Sequence, residues 1–341
     1  MTARRLRASL RGWGGVGAMA LACATALILA LMLPDSARGN GDTGTGGPGL
    51  ARGTQARAAG CTDPQNRSLT PSSADGTTIE AIKNRKDRRL IVGVDQNSYH
   101  WGYRDPNDPA AGSDLEGFDI DLVHAIAKAI LGDANAVQFR AIPTSQRIPA
   151  IQGGKVDMVV RTMSITCDRL RQVAFSAPYF KTGQQVLAPV KSGITGYDKS
   201  LAGKTICSAA KSTAYERLAA DRDAGKLAPG AVVAPPVPNQ LDCLVRLQLG
   251  EADAVVTDGA LAASQAAQDP TVELKGGTFT TEYYGVAMKQ GSDDLVRRVN
   301  RVLADYRKDG WQQSYDKWLA PTLGPDSPSG NLPVAQYRQP A

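Results

Sequence analysis

A ten-residue pattern that occurs twice restricts the fold more than any other feature of this chain. Residues 151–160 read IQGGKVDMVV and residues 247–256 read LQLGEADAVV, with Gln, Gly, Asp and two Val at matching places. Each copy predicts the end of a helix, a glycine that terminates it and a short strand buried on both faces. Two copies are too few for a solenoid, and they suit two similar α/β lobes. Chance recurrence in an ordinary α/β protein is the alternative.

Two further strands are followed directly by polar residues. Residues 90–94 (LIVGV) run into Asp95, and residues 204–207 (KTIC) run into Ser208. Strands that alternate with helices predict mostly parallel sheets, in which ligands bind at the carboxyl ends of the strands. That rule selects the segments 95–101, 161–169, 208–213 and 257–258, two from each predicted lobe. We therefore expect a ligand cleft between the lobes.

The distribution of charge argues against nucleic acid as a partner. The 341 residues include 39 Lys and Arg and 33 Asp and Glu, which gives a net charge of +6. Seven arginines but only two acidic residues fall in residues 1–60, so the rest of the chain is close to neutral. The chain contains two histidines, His100 and His124, which excludes His-rich metal sites and most Ser–His–Asp chemistry.

The N-terminus has the pattern of an export signal. Arg4, Arg5, Arg7 and Arg11 precede an uncharged stretch over residues 12–33, which is just long enough to span a bilayer. Residues 1–33 are therefore either a cleaved signal peptide or an uncleaved signal-anchor, and both place the remainder outside the cytoplasm. Residues 58–61 (AAGC) end like a lipobox, so a lipid anchor on Cys61 is the minority alternative.

Both flanks of the predicted globular part have the composition of irregular chain. Residues 34–60 are rich in Gly, Ala and Arg, and we expect residues 34–75 to form a flexible tether. Residues 321–341 are rich in Pro, Gly and Ser, which predicts a disordered tail.

The cysteines indicate an oxidising compartment. Cys23 lies in the apolar leader, and the four others are Cys61, Cys167, Cys207 and Cys243. An even number in an exported domain favours two disulfides, for which three connectivities exist. No CxxC pair occurs, so a zinc site is not expected, and four buried free thiols are the alternative.

A series of phrases along the chain points to one protein family. They are EGFDIDLVHAIAKAI (116–130), RIPAIQGGKVD (147–157), MSITCDR (163–169), FSAPYF (175–180), DAVVTD (253–258) and YGVAM (284–288). In this order they resemble the motifs of family 3 extracellular solute-binding proteins, the polar amino-acid receptors of ABC importers. The resemblance covers about residues 80–320 and is nearest to actinobacterial glutamate-type members, which also carry Cys-Asp-Arg and Asp-Cys-Leu phrases.

The resemblance implies the type II periplasmic-binding-protein-like α/β fold, in which two lobes are joined by two crossover strands around a ligand cleft. Lobe 1 would comprise residues 76–188 and 286–320, and lobe 2 residues 189–285. Disulfides within each lobe leave lobe closure free, so the expected pairs are Cys61–Cys167 and Cys207–Cys243.

The resemblance also implies which residues bind the backbone of an amino acid. Arg169 stands where the family contacts the α-carboxylate, which suits a planar guanidinium. Ser164 would add a hydroxyl, and Thr162 replaces the small residue, often glycine, of many members. The alternative for Arg169 is a surface salt bridge with Asp168.

In the second lobe the family presents hydroxyl residues at a helix N-terminus. Ser212 and Thr213 match them, and they would offer amides to an anion, although Lys211 replaces a glycine there. Asp258 matches the carboxylate that binds the ligand ammonium.

Two further arginines are candidates for contact with the side chain of the ligand. Arg147 resembles the arginine that glutamate/aspartate receptors direct at the distal carboxylate, and its alternative is a side chain that reaches solvent from its helix. Arg161 follows a buried strand and needs an anion, either a second ligand carboxylate or a protein acid. We expect an acidic amino acid, with asparagine and glutamine as alternatives.

Aromatic residues follow the first strand. Tyr99 and Trp101 come shortly after Asp95, in the segment that the strand-end rule assigns to the site. They would either cover the aliphatic part of the ligand or pack at the hinge.

The predicted function is capture of an amino acid by lobe closure and its delivery to a membrane permease. This function needs no cofactor, no metal ion and no nucleic acid, and a monomer is expected. The protein would be held at the outer face of the cell membrane by its apolar segment, or secreted after cleavage. The alternatives are an amino-acid sensor that signals to a membrane partner and a dehydratase on the same fold, for which Glu282 is the nearest candidate acid.

Overall fold

Two five-stranded sheets divide the protein into two lobes, and only the first sheet combines strands from two separate stretches of the chain. The computed structural model describes residues 61–105, 114–324 and 327–338. The predicted leader and the first part of the predicted tether lie outside these residues. Within them, no helix combines the length and the apolar character needed to cross a membrane.

The elements of the first half of the chain lie mostly in lobe 1. They are α1 (Thr77–Lys83), β1 (Leu90–Val94), β2 (Asn97–Ser98), β3 (Gly102–Tyr103), α2 (Phe118–Leu131), β4 (Val137–Ala141), α3 (Arg147–Gln152), β5 (Met158–Val159), α4 (Cys167–Leu170), β6 (Ala174–Phe175) and β7 (Phe180–Thr182).

The elements of the second half form lobe 2 and then return to lobe 1. Lobe 2 contains β8 (Gln184–Pro189), β9 (Thr205–Cys207), α5 (Thr213–Asp223), β10 (Val232–Val233), α6 (Gln240–Gln248), β11 (Ala254–Asp258), α7 (Gly259–Gln268) and β12 (Val272–Lys275). The return comprises β13 (Glu282–Tyr284), β14 (Ala287–Met288), α8 (Asp293–Tyr306), α9 (Gly310–Trp318) and α10 (Ala320–Leu323).

The repeated sequence pattern marks equivalent strands in the two sheets. The sheet of lobe 1 has the order β4-β1-β5-β14-β6, and that of lobe 2 has the order β10-β9-β11-β8-β12. The pattern supplies β5 in the first sheet and β11 in the second, and each of them is the middle strand. In both sheets the first three strands are parallel, and the fourth strand, β14 in lobe 1 and β8 in lobe 2, runs antiparallel to the middle one. The prediction of two similar α/β lobes is confirmed.

The lobes are joined by two strands that pair with each other. β7 and β13 run antiparallel, with Phe180 opposite Tyr284 and Thr182 opposite Glu282. The first crossing was expected near residues 188–190, but β8 already belongs to the sheet of lobe 2, where it pairs with β11 and β12. The chain therefore leaves lobe 1 at residue 183, because β8 completes the second sheet rather than connecting the two.

The core of lobe 1 packs α2 and α8 on the sheet. Val92, Ile126 and Val299 are fully buried in one cluster. Helix α2 begins after Gly117, whose φ is 125°, and a Cβ there would lie 2.4 Å from the main-chain oxygen of Trp101. Glycine at this position lets the loop that carries Trp101 pack directly against the start of the helix.

The predicted disulfides are both present. Cys61 pairs with Cys167 in lobe 1, and Cys207 pairs with Cys243 in lobe 2. Each bond lies within one lobe, so neither restrains the movement of one lobe against the other.

The structure differs from the expected tether and tail in residues 61–75 and 327–338. Ser68 donates from its buried hydroxyl to the main-chain oxygen of Phe175 at 2.8 Å. The amide of Arg338 donates to the main-chain oxygen of Ser68, also at 2.8 Å. Both segments are therefore packed on lobe 1, because they satisfy each other's main-chain groups, which composition alone does not reveal.

Candidate functional site

The two lobes are in contact across the cleft. The amide of Thr144 donates to the main-chain oxygen of Pro238 at 3.1 Å. The hydroxyl of Thr144 donates to Oε1 of Gln240 at 3.0 Å. The strand ends of both lobes therefore face one enclosed region, as the position of the segments in the sheets predicts.

Arg169 lies in this region and is only 5% exposed. Its Nη1 donates to the main-chain oxygen of Ser164 at 2.8 Å, and its Nη2 donates across the cleft to that of Lys211 at 3.0 Å. Burial lowers the pKa of Arg169. The alternative salt bridge is wrong, since Asp168 pairs with Arg171 at 2.5 Å. No carboxylate among the described residues lies within 4.0 Å of the Arg169 guanidinium.

Arg147 is the first residue of α3 and is also buried. Its Nε donates to the main-chain oxygen of Thr144 at 3.0 Å, and its Nη1 to those of Arg161 and Thr162 at 3.2 and 3.3 Å. The side chain therefore does not reach solvent, and that alternative is wrong. Burial, together with the charges of Arg169 and Arg161, lowers the pKa of Arg147. Its Nη2 has no hydrogen bond to any described residue.

Arg161 forms an ion pair with a carboxylate of the protein. Its guanidinium is fully buried and lies 2.7 Å from the carboxylate of Asp95. It also donates to the hydroxyl of Thr144 at 2.9 Å and, in lobe 2, to Oδ1 of Asn239 at 3.2 Å. Of the two expected partners, the protein acid is the one that this structure contains.

Asp258 ends β11 and lies on the opposite side of the cleft. Its carboxylate accepts a 2.5 Å hydrogen bond from the hydroxyl of Tyr284. Burial, and then the charge of Glu282, raises the pKa of Asp258 to about 7. The positive charges of Arg169 and Arg147 lower that pKa.

Two non-glycine residues of the predicted site have a left-handed backbone. Thr162 has a φ of 41° and Lys211 has a φ of 60°. A left-handed conformation is unusual for any residue with a Cβ, and especially for a β-branched one, so each costs about 1–3 kcal/mol. The amide of Thr162 donates to the buried carboxylate of Asp119 at 3.1 Å, which holds this backbone in place.

The hydroxyl residues of the predicted site differ in their availability. Ser212 caps α5, since its Oγ accepts from the amide of Tyr215 at 3.0 Å and donates to the main-chain oxygen of Ala209 at 2.7 Å. Thr213 is the half-buried first residue of that helix. Ser164 is buried and forms an isolated antiparallel bridge with Tyr284.

The two aromatic residues that follow β1 lie in different surroundings. Trp101 is fully buried, and its ring packs edge-on against Phe118, Phe180 and Tyr284. It therefore belongs to the hinge packing, because two of these partners lie on β7 and β13. Tyr99 is half-buried, stacks on His100 at 3.8 Å and lines the narrow crevice between the lobes.

A cavity of about 250 Å³ opens beside the arginines. Its lining includes Arg147, Arg169, Met163 and, from lobe 2, Lys211 and Glu216. Both buried arginines therefore border one cavity.

Sequence reasoning assigned no site role to Asp119 and Tyr179. The hydroxyl of Tyr179 donates to Oδ1 of Asp119 at 2.8 Å, and both residues are buried. Burial raises the pKa of Asp119 to about 7. Asp119 lies in the first turn of α2, where the helix dipole favours an acidic residue, and only the spatial neighbourhood of Thr162 reveals its second role.

Two α/β lobes, two paired crossover strands and a cleft with buried charges define a two-lobed binding protein of the type II periplasmic class. The chain belongs to the bacterial extracellular solute-binding proteins, family 3, whose model matches residues 90–321. The relatives that match this chain are solute-binding proteins, among them components of amino-acid ABC transporters. The candidate acid Glu282 accepts instead from Nε2 of Gln184 at 2.9 Å, beside the hinge.

Several relatives of known ligand are similar over most of the chain. The ABC transporter glutamine-binding protein GlnH of Bacillus subtilis is 32% identical over 243 residues, 71% of this chain and 84% of that protein. The glutamine-binding protein of Geobacillus stearothermophilus is 35% identical over 233 residues, 68% and 84% of the two chains. The glutamate-binding protein GluB of Corynebacterium glutamicum is 27% identical over 267 residues, 75% and 84%.

Solved structures agree on the fold. The solute receptor for L-cysteine of Neisseria gonorrhoeae has a TM-score of 0.66 at 27% identity and covers 76% of this chain and all 100% of its own. An ancestral arginine-binding protein bound to glutamine has a TM-score of 0.58 at 34% identity, with 67% and 97% covered.

Proposed function

We propose that this protein is the receptor of an ABC importer for acidic amino acids, with L-glutamate as its preferred ligand. One observation carries the proposal. Two buried guanidinium groups, Arg147 and Arg169, border the same cavity and have no carboxylate partner among the described residues. Buried cations are stabilised by paired anions, so the site favours a ligand with two carboxylates.

Arg169 would bind the α-carboxylate in the bidentate geometry that a guanidinium offers. The hydroxyl of Ser164, the strained backbone at Thr162 and the N-terminus of α5 at Ser212 and Thr213 would surround the same carboxylate. This arrangement uses hydrogen-bond donors from both lobes, so binding of the α-carboxylate favours the closed form.

Asp258 would bind the ligand ammonium. It stands on lobe 2 at the end of β11, within electrostatic reach of both arginines, which suits the opposite charges of a zwitterion. Its hydrogen bond from Tyr284 leaves the second carboxylate oxygen for the ligand.

Arg147 would select the distal group of the ligand side chain. Its Nη2 is the nitrogen without a protein acceptor, and a γ-carboxylate would both accept from it and compensate its charge. The amide of glutamine offers an acceptor but no charge, so glutamine should bind more weakly. Arg161 takes no part in this selection, since Asp95 already compensates its charge.

Calorimetric titration of the disulfide-bonded protein, freed of bound ligand by unfolding and refolding, tests the proposal. We expect L-Glu and L-Asp to bind more tightly than L-Gln, L-Asn and L-Arg. Arg169→Ala should abolish binding of all of them, and Arg147→Ala should weaken L-Glu more than L-Gln. Arg140→Ala, which removes an exposed arginine of β4, is the matched control and should leave binding unchanged.

Three results would contradict the proposal. Preference for L-Arg would mean that the side-chain pocket has the opposite charge, and preference for L-Gln that persists in Arg147→Ala would remove Arg147 from selection. Absence of heat with every amino acid would favour another ligand class. Uptake of labelled L-Glu by cells with and without the gene separates transport from signalling to a membrane partner.

The same proposal places the mature protein outside the cytoplasm, as a monomer held at the cell membrane by its N-terminal segment or secreted. Two disulfides are in keeping with that location. Fractionation of cells and N-terminal sequencing of the mature chain test it, and recovery of the uncut protein from the cytoplasm would contradict it.

A further inference from the structure

One residue of the hinge contacts both halves of the site. The main chain of Tyr284, the last residue of β13, forms an antiparallel bridge with Ser164 in lobe 1. Its hydroxyl donates to the carboxylate of Asp258 in lobe 2 at 2.5 Å. The side chain is fully buried, and its ring is held between Phe180 and Trp101, whose ring centroids both lie 5.7 Å away.

The other crossover strand carries the same arrangement. Tyr179, which directly precedes β7, donates to buried Asp119 at 2.8 Å, and Asp119 holds the amide of Thr162. Each connection between the lobes thus places a tyrosine hydroxyl on a buried carboxylate. Of these two pairs, only Tyr284 and Asp258 include the carboxylate that is proposed to bind the ligand ammonium.

We infer that Tyr284 is a positioning residue for ligand binding: its hydroxyl orients the Asp258 carboxylate and keeps it ionised for the ammonium, and its main chain links that carboxylate to the hinge. This inference rests on the proposed binding of an α-amino acid at Asp258. It deepens that proposal, because it assigns the strength and pH dependence of ammonium binding to a residue that need not contact the ligand.

The charged groups around Asp258 determine the expected direction. Glu282 and Tyr284 face it from β13, Arg169 from α4 and Arg147 from α3. Burial and Glu282 raise its pKa, whereas the hydrogen bond from Tyr284 and the two arginines lower it. Loss of the hydroxyl therefore raises the pKa of Asp258, and a larger fraction of the carboxyl groups is neutral at pH 7.

The test is L-Glu titration from pH 5 to pH 9. In the unaltered protein we expect affinity to fall as the pH drops through the pKa of Asp258. Tyr284→Phe keeps the buried ring, and it should weaken binding at pH 7 by about 10-fold, the usual size for loss of a hydrogen bond to a charged group. The pH at which affinity is lost should move upward. Tyr197→Phe, which removes a hydroxyl that donates to the carboxylate of Asp221 in lobe 2 at 2.8 Å, is the matched control and should leave that pH unchanged.

A double-variant comparison separates positioning from packing. In an Asp258→Asn background, Tyr284→Phe should change affinity by less than about 2-fold, because the carboxylate that it orients is absent. An equal loss in both backgrounds, or an unshifted pH profile in Tyr284→Phe, would overturn the inference while leaving the receptor function intact. If another amino acid binds instead of L-Glu, the same titrations use that ligand, since the ammonium is common to all. Binding of none would overturn the proposed function itself.

Discussion

The guanidinium of Arg161 lies 2.7 Å from the carboxylate of Asp95, and the two side chains are 0% and 6% exposed. The pair joins the ends of neighbouring strands β1 and β5 and reaches lobe 2 through Asn239. Three arginines enter the cleft, but this pair leaves two of them for an anionic ligand. The ion pair therefore separates a structural arginine from the two arginines proposed to bind ligand.

Removing the buried carboxylate of Asp95 should lower the free energy of unfolding far more than removing an exposed carboxylate. Asp95→Asn leaves the Arg161 charge buried and unpaired, so we expect the free energy of unfolding to drop by about 3–5 kcal/mol in urea denaturation. Asp223→Asn, which breaks the exposed pair with Arg222, is the control and should cost about 1 kcal/mol or less. Equal effects of the two substitutions would show that the buried pair contributes no more than a surface one.

Contacts across the cleft should control ligand release. Thr144→Val keeps the shape of the side chain but removes its hydrogen bonds with Gln240 and Arg161. The closed form loses stability relative to the open one, so we expect the dissociation rate of the ligand to rise by about 2- to 10-fold in stopped-flow measurements. Thr195→Val removes an exposed hydroxyl within lobe 2 and should leave the rate unchanged. An unaltered rate in Thr144→Val would contradict this role.

The fold and the positions of the segments that face the cleft were predictable because local sequence determines them. Strand ends, the helix start at Ser212 and the order of motifs all lie within short segments. The partner of Arg161 was not predictable, because it depends on the register of β1 and β5. That register places Gly93 opposite Val159, and two residues further along each strand Asp95 and Arg161 come together.

Two other features could not be read from the sequence pattern. The side on which Trp101 packs is determined by a turn in which its amide donates to the main-chain oxygen of Ser98, so the side chain returns toward the hinge. Ser68 and Arg338 form a main-chain hydrogen bond, although 269 residues lie between them in the sequence. Composition predicts disorder for both segments, since it carries no information about such a partner.

The two disulfides should differ in their sensitivity to reductant. Cys61 and Cys167 are half-buried, whereas Cys207 and Cys243 are fully buried. Under graded dithiothreitol we expect Cys61–Cys167 to open first, as measured by differential alkylation and mass spectrometry.

Loss of the first bond should also matter more for stability and binding. The first disulfide joins cysteines 106 residues apart, and the second joins cysteines 36 residues apart. The loss of chain entropy in the unfolded state therefore predicts a stabilisation of about 4–5 kcal/mol from the first bond and about 3–4 kcal/mol from the second. Cys167 begins the short helix that carries Arg169. A Cys61→Ser/Cys167→Ser variant should therefore lose more ligand affinity than Cys207→Ser/Cys243→Ser, and the reverse order would contradict the link to Arg169.

The ligand-free protein should become less stable as the pH rises toward neutrality, because of Asp119. Burial raises the pKa of this carboxyl to about 7 in the folded protein, against about 4 in the unfolded chain. Between these values the folded state binds the extra proton, so its stability falls with rising pH, by at most about 1.4 kcal/mol per pH unit. Urea denaturation from pH 4 to 8 should show a shallower slope in Asp119→Asn than in the unaltered protein, and the slope that remains is the contribution of Asp258, whose pKa is also raised to about 7. Asp133→Asn, at an exposed carboxyl, should run parallel to the unaltered protein, and a parallel curve for Asp119→Asn would contradict the assignment.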